Sequence, residues 1–224
     1  MNAFLRGFLL LPFVALTAWA EEAKPRDVLW EDLRAEFTFE DPFEDLTEEQ
    51  LLDLGIIARV ESLEKRDGGS RVSDGMRKEV AEARKRLEEQ KIDIDGLFAK
   101  RAEITELRKK RAQAAVDELD GVLIALPGFV LPLEYEGKKV TEFLLVPWVG
   151  ACIHTPPPPP NQIVHVVADK PFATKGLFEA VVVTAKMEVV NKVSELFLVD
   201  GTDNINTSYA MNSAKVAKYE GPKK

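Results

Sequence analysis

The side chains best suited to chemistry lie in one short loop. Cys152 and His154 are separated by a single residue, and prolines occupy every position from 156 to 160. A run of prolines fixes the backbone in the extended polyproline II conformation, and the residue before a proline is also driven towards extended geometry. Side chains two residues apart on an extended segment share a face. The spacing therefore predicts that the thiol and the imidazole point the same way on a rigid support.

Three interpretations of this loop remain open. Cys152 could be a small buried apolar residue and His154 a hydrogen-bonded one, while the prolines carry the chain across a barrel mouth. Alternatively, thiolate and imidazole are suitable ligands for zinc or copper, but a zinc site needs three or four ligands. His165, the other histidine, is then the first candidate for a third ligand. Further candidates for that position are Glu142, Met187 and Met211.

The third interpretation is a Cys–His nucleophile pair. Direct pairing at two-residue spacing is poor geometry for proton transfer, and no orienting acid or oxyanion motif accompanies Cys152 and His154. Cys152 is the single cysteine, so an internal disulfide is impossible, although a bond to another protein is chemically open.

Residues 1–20 have the three-part pattern of a cleavable signal peptide. A basic start with Arg6 precedes an apolar run over 8–16, and Ala18-Trp19-Ala20 has the small-x-small form that signal peptidase accepts. A membrane-spanning helix needs about 20 apolar residues, whereas acidic residues begin at Glu21. We therefore expect a periplasmic protein with no membrane span after cleavage.

Charge divides the rest of the chain. Residues 21–60 contain 13 acidic and 4 basic side chains, whereas the remainder is balanced, within a net charge of −8 for the whole sequence. This balance argues against nucleic acid as a partner. Residues 21–46 form an acidic arm that also carries apolar anchors such as Trp30 and Phe37, so we expect it to pack on the protein. The arm could also solubilise the protein or dock a basic partner.

Residues 47–118 are predicted to form a helical region. Thr47 and Gln50 have the spacing of a capping box, which predicts a helix from Glu48 to about Glu64. Apolar residues at helical spacing predict two more helices, one over 76–87 and one from Leu97 to about Glu118. Two such helices joined by a short turn indicate a helical hairpin that could project from the body.

The composition changes at Leu119, and residues 119–224 are predicted to form a β-domain. Six or seven short strands alternate with turn signals such as Glu136-Gly137. The apolar run over 143–146 indicates burial on both faces, which closure into a barrel would supply. The expected fold is thus α+β: an N-terminal helical region followed by a small, mostly antiparallel, OB-like β-barrel that carries the proline-rich loop.

Several segments together resemble the signature of the domain-of-unknown-function family 3299. They are Leu119-Asp120-Gly121, 128–133, 141–147, and 150–154 with 157–164, and the resemblance covers about residues 119–179. The resemblance implies an exported bacterial protein without established activity, often encoded beside a MacB-like ATP-driven permease and sometimes in zinc-responsive clusters. It carries over, as motif positions without assigned roles, Cys152, His154, Pro157, Pro158, Pro159, Asn161 and Gln162. His165 is not part of that pattern.

We therefore expect a non-enzymatic periplasmic accessory protein of an ABC-type transport system, linked to zinc homeostasis. Its partner would be an envelope protein of the permease type. The alternative is a stand-alone periplasmic metal-binding protein that holds zinc or copper with Cys152 and His154. A thiol-dependent enzyme is the second alternative.

Overall fold

The computed structural model describes residues 24–151, 157–198 and 201–221. The predicted signal peptide, Cys152 and His154 lie outside these residues. Within the described ranges, no helix combines the length and apolar character needed to cross a bilayer.

The acidic arm packs on the rest of the protein, as its apolar anchors predict. Strand β1 (Arg26–Asp27) pairs in parallel with the first barrel strand, and a 3-10 helix follows over Trp30–Leu33. Val28 and Leu33 are buried in the barrel core. Further along, Phe43 packs against the core of the helical region. The arm thus contacts both parts of the molecule.

Three helices follow: α1 (Glu48–Asp67), α2 (Asp74–Glu89) and α3 (Ile94–Gln113). The predicted capping box at the start of α1 is confirmed, because the Thr47 backbone N–H donates to the Gln50 side-chain oxygen at 2.8 Å and the Gln50 N–H donates to the Thr47 hydroxyl at 3.3 Å. Helix α1 ends at Asp67, and Gly68 follows it with a φ of 64°, a left-handed conformation that suits a glycine at the end of a helix.

Helices α1 and α2 form an antiparallel pair with its own small core of Leu54, Ile57, Ala83 and Leu87. Three ion pairs cross between the two helices: Arg86–Asp53 at 2.6 Å, Arg84–Glu61 at 2.5 Å and Arg77–Glu64 at 2.6 Å. Helix α3 leads from this pair to the barrel. It ends at Gln113, earlier than the sequence predicts, since residues 114–116 leave the helical conformation and Ala115 and Val116 pack on the barrel core.

The β-domain is a closed five-stranded barrel. Its strands are β2 (Leu123–Glu136), β3 (Lys139–Val146), β4 (Val164–Phe172), β5 (Ala180–Leu198) and β6 (Gly201–Lys218). The order is β2-β3-β4-β6-β5, and β5 pairs again with β2 to close the barrel. Only the β4–β6 pair within the barrel is parallel. The predicted α+β fold, with a small, mostly antiparallel, OB-like barrel, is confirmed.

The apolar run in β3 is buried on both faces, as predicted. Phe143 and Leu145 point into the barrel core, whereas Leu144 and Val146 point outward. The β5–β6 hairpin extends beyond the barrel and covers this outer face with Leu196 and Ile205. The same outer cluster contains Leu131, Ala151 and Ile163.

Two buried aspartates, Asp41 and Asp53, each accept hydrogen bonds from an arginine. Arg108 donates through Nε to Asp41 at 2.6 Å, and Arg86 donates to both oxygens of Asp53 at 2.9 and 2.6 Å. These hydrogen bonds hold the pKa of Asp41 and the pKa of Asp53 below their ordinary value of 3.8. Since the folded pKa is the lower one, this stabilisation is present above the unfolded-state pKa and is lost as pH falls towards the folded-state pKa.

The free energy of unfolding should therefore fall as pH drops from about 5 towards 3. In Asp53→Asn the slope should be shallower, because one of the two shifted carboxylates is gone. Urea unfolding at a series of pH values measures the slope. A slope equal to that of the wild type would show that Asp53 does not contribute to it.

Candidate functional site

The best-defined polar site in the described residues follows the proline run. Pro158 is buried, Pro157 and Pro159 are exposed, and a 3-10 helix covers Pro160–Gln162. Pro159 has φ −60° and ψ 151°, which is the polyproline II conformation that the sequence predicts. The rigid proline run leads directly into this 3-10 helix, in which Asn161 is buried, with only 5 % of the residue exposed.

Asn161 caps the C-terminal end of α3. Its Nδ2 donates to the backbone oxygen of Arg111 at 3.1 Å and to that of Ala114 at 2.9 Å. Carbonyl groups in the last turn of a helix have no partner within the helix, so a buried side-chain donor satisfies them. Both Nδ2 hydrogens are used in this way. Asn161 therefore fastens the proline-rich segment to α3.

Gln162 makes the equivalent connection to the arm. It is 1 % exposed, and its Nε2 donates to the backbone oxygen of Trp30 and to that of Asn161, both at 2.9 Å. The Trp30 indole in turn donates to the Pro127 oxygen in β2 at 2.8 Å. The arm is thus held on two sides, by Gln162 and by strand β2 of the barrel.

Two residues of β6, Ser208 and Tyr209, also bind backbone groups of α3 and the arm. The Ser208 hydroxyl donates to the Gln113 oxygen at 2.9 Å. The Tyr209 hydroxyl donates to the Leu33 oxygen at 2.9 Å and accepts from the Val116 N–H at 2.6 Å. Burial raises the pKa of Tyr209 above its ordinary value of 10.0, which keeps the phenol protonated and able to donate.

We call Asn161, Gln162, Ser208 and Tyr209 the joint. Its side chains bind backbone groups of the arm, of α3 and of the segment that leads from α3 into the barrel. Apart from the bond between Gln162 and the adjacent Asn161, each of these hydrogen bonds joins residues at least 47 positions apart. The joint therefore fixes the arm, α3 and the barrel relative to one another. Asn161 and Gln162, two of the family motif positions, thus have structural partners.

His165 lies on the outer face of β4 and is 5 % exposed. Its Nε2 lies 2.6 Å from Glu142 Oε1, and its Nδ1 lies 3.4 Å from Lys192 Nζ. In the tautomer that carries the proton on Nε2, the ring donates to Glu142 and Nδ1 accepts from the Lys192 ammonium. Both ring nitrogens therefore have partners, in a partly buried bridge between β3, β4 and the β5–β6 hairpin.

The structure brings together only some of the predicted site residues. Glu142, a candidate partner, does lie beside His165. Met187 and Met211 pair with each other inside the barrel core, on the opposite side of the wall from His165. Cys152 and His154 belong to the residues that the structure does not describe. Across the described ranges, no group of three or more His, Cys, Asp or Glu side chains could hold a metal ion.

Sequence reasoning did not identify Ser208, Tyr209 or Lys192. Tyr209 is the largest fully buried side chain of the described residues, and an isolated tyrosine in a polar strand is a usable signal for a buried hydroxyl with backbone partners. Lys192 gives no such signal, because its role depends on how the hairpin folds back over the barrel.

Comparison with known proteins places this architecture in a family. The model of the family described as "Protein of unknown function (DUF3299)" matches residues 30–218, which include most of the arm, all three helices and the barrel. A crystal structure of a DUF3299 family protein from Pseudomonas aeruginosa PAO1 has 25 % sequence identity, covering 90 % of this chain and 100 % of that chain, with a TM-score of 0.48. No curated protein matches the sequence. The chain therefore belongs to the DUF3299 family.

Proposed function

We propose that this protein is a non-enzymatic periplasmic accessory protein of an ABC-type transport system, with zinc homeostasis as the process it serves. The observation that supports this role is the joint. It attaches α3, and with it the α1–α2 pair, to the barrel through partly buried hydrogen bonds rather than through a flexible linker. A helical region that is rigidly attached in this way can present one surface to a partner in a constant orientation.

The surface offered to the partner lies at the start of α1. Leu51 and Leu52 are 42 % and 66 % exposed and are separated from the acidic pair Glu48 and Glu49 by Gln50 alone. Exposed leucines beside charged side chains resemble the mixture of apolar centre and polar rim found in protein interfaces. The signal-like pattern of residues 1–20 supports a periplasmic location, and the properties implied by the family resemblance support a permease as the partner.

Site-specific crosslinking in intact cells tests this proposal. A photoreactive amino acid at position 52 should give an adduct with a subunit of an ABC-type permease, identified by mass spectrometry. The matched control is position 138, an exposed lysine in the turn between β2 and β3. Equal adducts from both positions, or none with a permease from position 52, would contradict the proposed role.

The alternative is stand-alone metal binding by Cys152 and His154. His165, the candidate third ligand, has a carboxylate partner at 2.6 Å, as histidines in metal sites commonly do, but the Lys192 ammonium lies 3.4 Å from its other ring nitrogen, where a metal ion would have to bind. The accessory role predicts that purified mature protein carries far less than about one zinc or copper ion per chain. Elemental analysis of wild type and Cys152→Ser decides the matter. About one ion per chain, lost in Cys152→Ser, would establish the metal-binding alternative.

A further inference from the structure

A cleft of about 480 Å³ opens where the arm, the last turns of α3 and the joint meet. Its lining includes Arg34 from the arm, Arg108 and Arg111 from α3, and Asn161 from the joint. We propose that this cleft binds an oxyanion, a carboxylate or phosphate group, through Arg34 and Arg108. The inference stands apart from the transport role, since it rests only on the chemistry of the cleft.

The arginines are arranged so that donors remain open. Arg34 is exposed and has no ion-pair partner in the part of the chain that the structure describes. Arg108 donates through Nε to Asp41, whose side chain is fully buried, and its guanidinium lies 5.7 Å from the centre of the Phe43 ring. The guanidinium is therefore held in place, while its two terminal nitrogens make no hydrogen bond within the described residues. A guanidinium presents several N–H donors in a planar fork that matches the oxygens of a carboxylate or phosphate.

The third arginine is committed to the protein. Both terminal nitrogens of Arg111 face Glu44 at 3.2 and 3.3 Å, and its guanidinium lies 4.9 Å from the centre of the Phe39 ring. Arg111 therefore forms a wall of fixed shape, and its charge is largely balanced by Glu44. Arg34 and Arg108 are left as the groups that an incoming anion would meet.

The charge balance of the cleft favours an anion. No aspartate or glutamate lines it. Asp41 and Glu44, which flank it on the arm, are already paired with Arg108 and Arg111. The three arginines are the only charged side chains among the residues that line the cleft, so the lining itself is positive, and electrostatic attraction in a partly enclosed space exceeds that on an open surface.

Apolar groups supply the remaining walls. Phe37, Ala35, Ala112 and Pro159 line the cleft together with the arginines. A few polar donors among apolar walls are typical of sites that orient a small ligand or a side chain. The cleft therefore has room for the oxyanion and for a short apolar stem attached to it.

Isothermal titration calorimetry at low ionic strength tests the proposal with two probes. The first is inorganic phosphate, and the second is a short peptide with two glutamates and an amidated C-terminus, compared with its glutamine counterpart. Binding by phosphate alone identifies a small anion as the ligand type, whereas binding by the glutamate peptide identifies carboxylates of a protein. Binding should weaken as salt is added, because the attraction is between charges.

Arg34→Gln should weaken binding about tenfold or more, as expected for loss of a charge-assisted hydrogen bond. The Arg34 side chain is exposed and has no ion-pair partner among the described residues, so this variant should fold normally. The matched control, Arg59→Gln, removes one exposed charge from α1 at a distance from the cleft. Absence of binding by both probes, unchanged affinity in Arg34→Gln, or equal losses in the two variants would overturn the proposal.

Discussion

Replacement of Asn161 by alanine is expected to lower the free energy of unfolding by about 2–4 kcal/mol. The reason is that the Asn161 amide satisfies the backbone oxygens of Arg111 and Ala114, and its removal leaves both without that donor. Each unsatisfied buried polar group costs about 1–3 kcal/mol. Chemical denaturation of wild type and variant measures the difference.

The control for this prediction is Asn212→Ala. Asn212 is exposed and its amide donates to Glu188 at 2.9 Å on the outside of the barrel, so its loss should change stability by no more than about 0.5 kcal/mol. Asn161→Asp keeps the size of the side chain but replaces the donor nitrogen with an oxygen, which faces the backbone oxygens of Arg111 and Ala114. This variant therefore tests the loss of the donor without a loss of volume. If Asn161→Ala were no more destabilising than Asn212→Ala, the capping role of Asn161 would be refuted.

Tyr209→Phe is expected to cost about 2–3 kcal/mol although it removes a single oxygen atom. That oxygen serves the Val116 N–H and the Leu33 carbonyl at once, and the ring itself is fully buried. The variant keeps the volume of the ring, so the loss reports the hydrogen bonds rather than a cavity.

The dependence of stability on alkaline pH gives a second test of the role of Tyr209. Because the pKa of the folded phenol is raised, its contribution is present below the unfolded pKa of about 10 and is lost as pH rises above it. Wild type should therefore lose more stability than Tyr209→Phe between about pH 9 and 11. The control is Tyr219→Phe at an exposed position. Matching alkaline curves for wild type and Tyr209→Phe would contradict a buried, hydrogen-bonded phenol.

Local signals in the sequence predict the elements of this fold well. The capping box at Thr47 marks the start of α1, and the turn at Glu136-Gly137 separates two strands because Gly137 adopts a φ of 63°. The apolar run over 143–146 correctly indicates a strand buried on both faces. Such features depend on neighbouring residues, and neighbouring residues are what a sequence displays.

The long hairpin was harder to predict. The sequence suggests separate strands near 176–187 and 194–199 and a last strand near Tyr209, whereas β5 and β6 each run for 18 residues or more. Polar residues such as Asn191 and Lys192 resemble a break between strands, yet they accompany an irregular register within one strand. Pairing with β6 on both sides of this irregularity keeps the strand continuous, and this pairing is not visible locally.

The candidate site was also predictable only in part. The proline run and the Asn161-Gln162 pair are conspicuous in the sequence, and their rigid backbone was predictable. Their partners were not, because they are backbone oxygens of Arg111, Ala114 and Trp30, far away along the chain. A backbone carbonyl is present at every residue, so its sequence position gives no indication that it needs a donor.

Amide hydrogen exchange in Asn161→Ala tests most directly the claim that the joint fixes the arm and α3 on the barrel. Exchange should rise at residues 111–116 and at 30–34, whose backbone groups the joint holds, while β3 in the barrel core keeps its protection. Wild-type exchange at both segments, or a uniform rise that includes β3, would contradict the account.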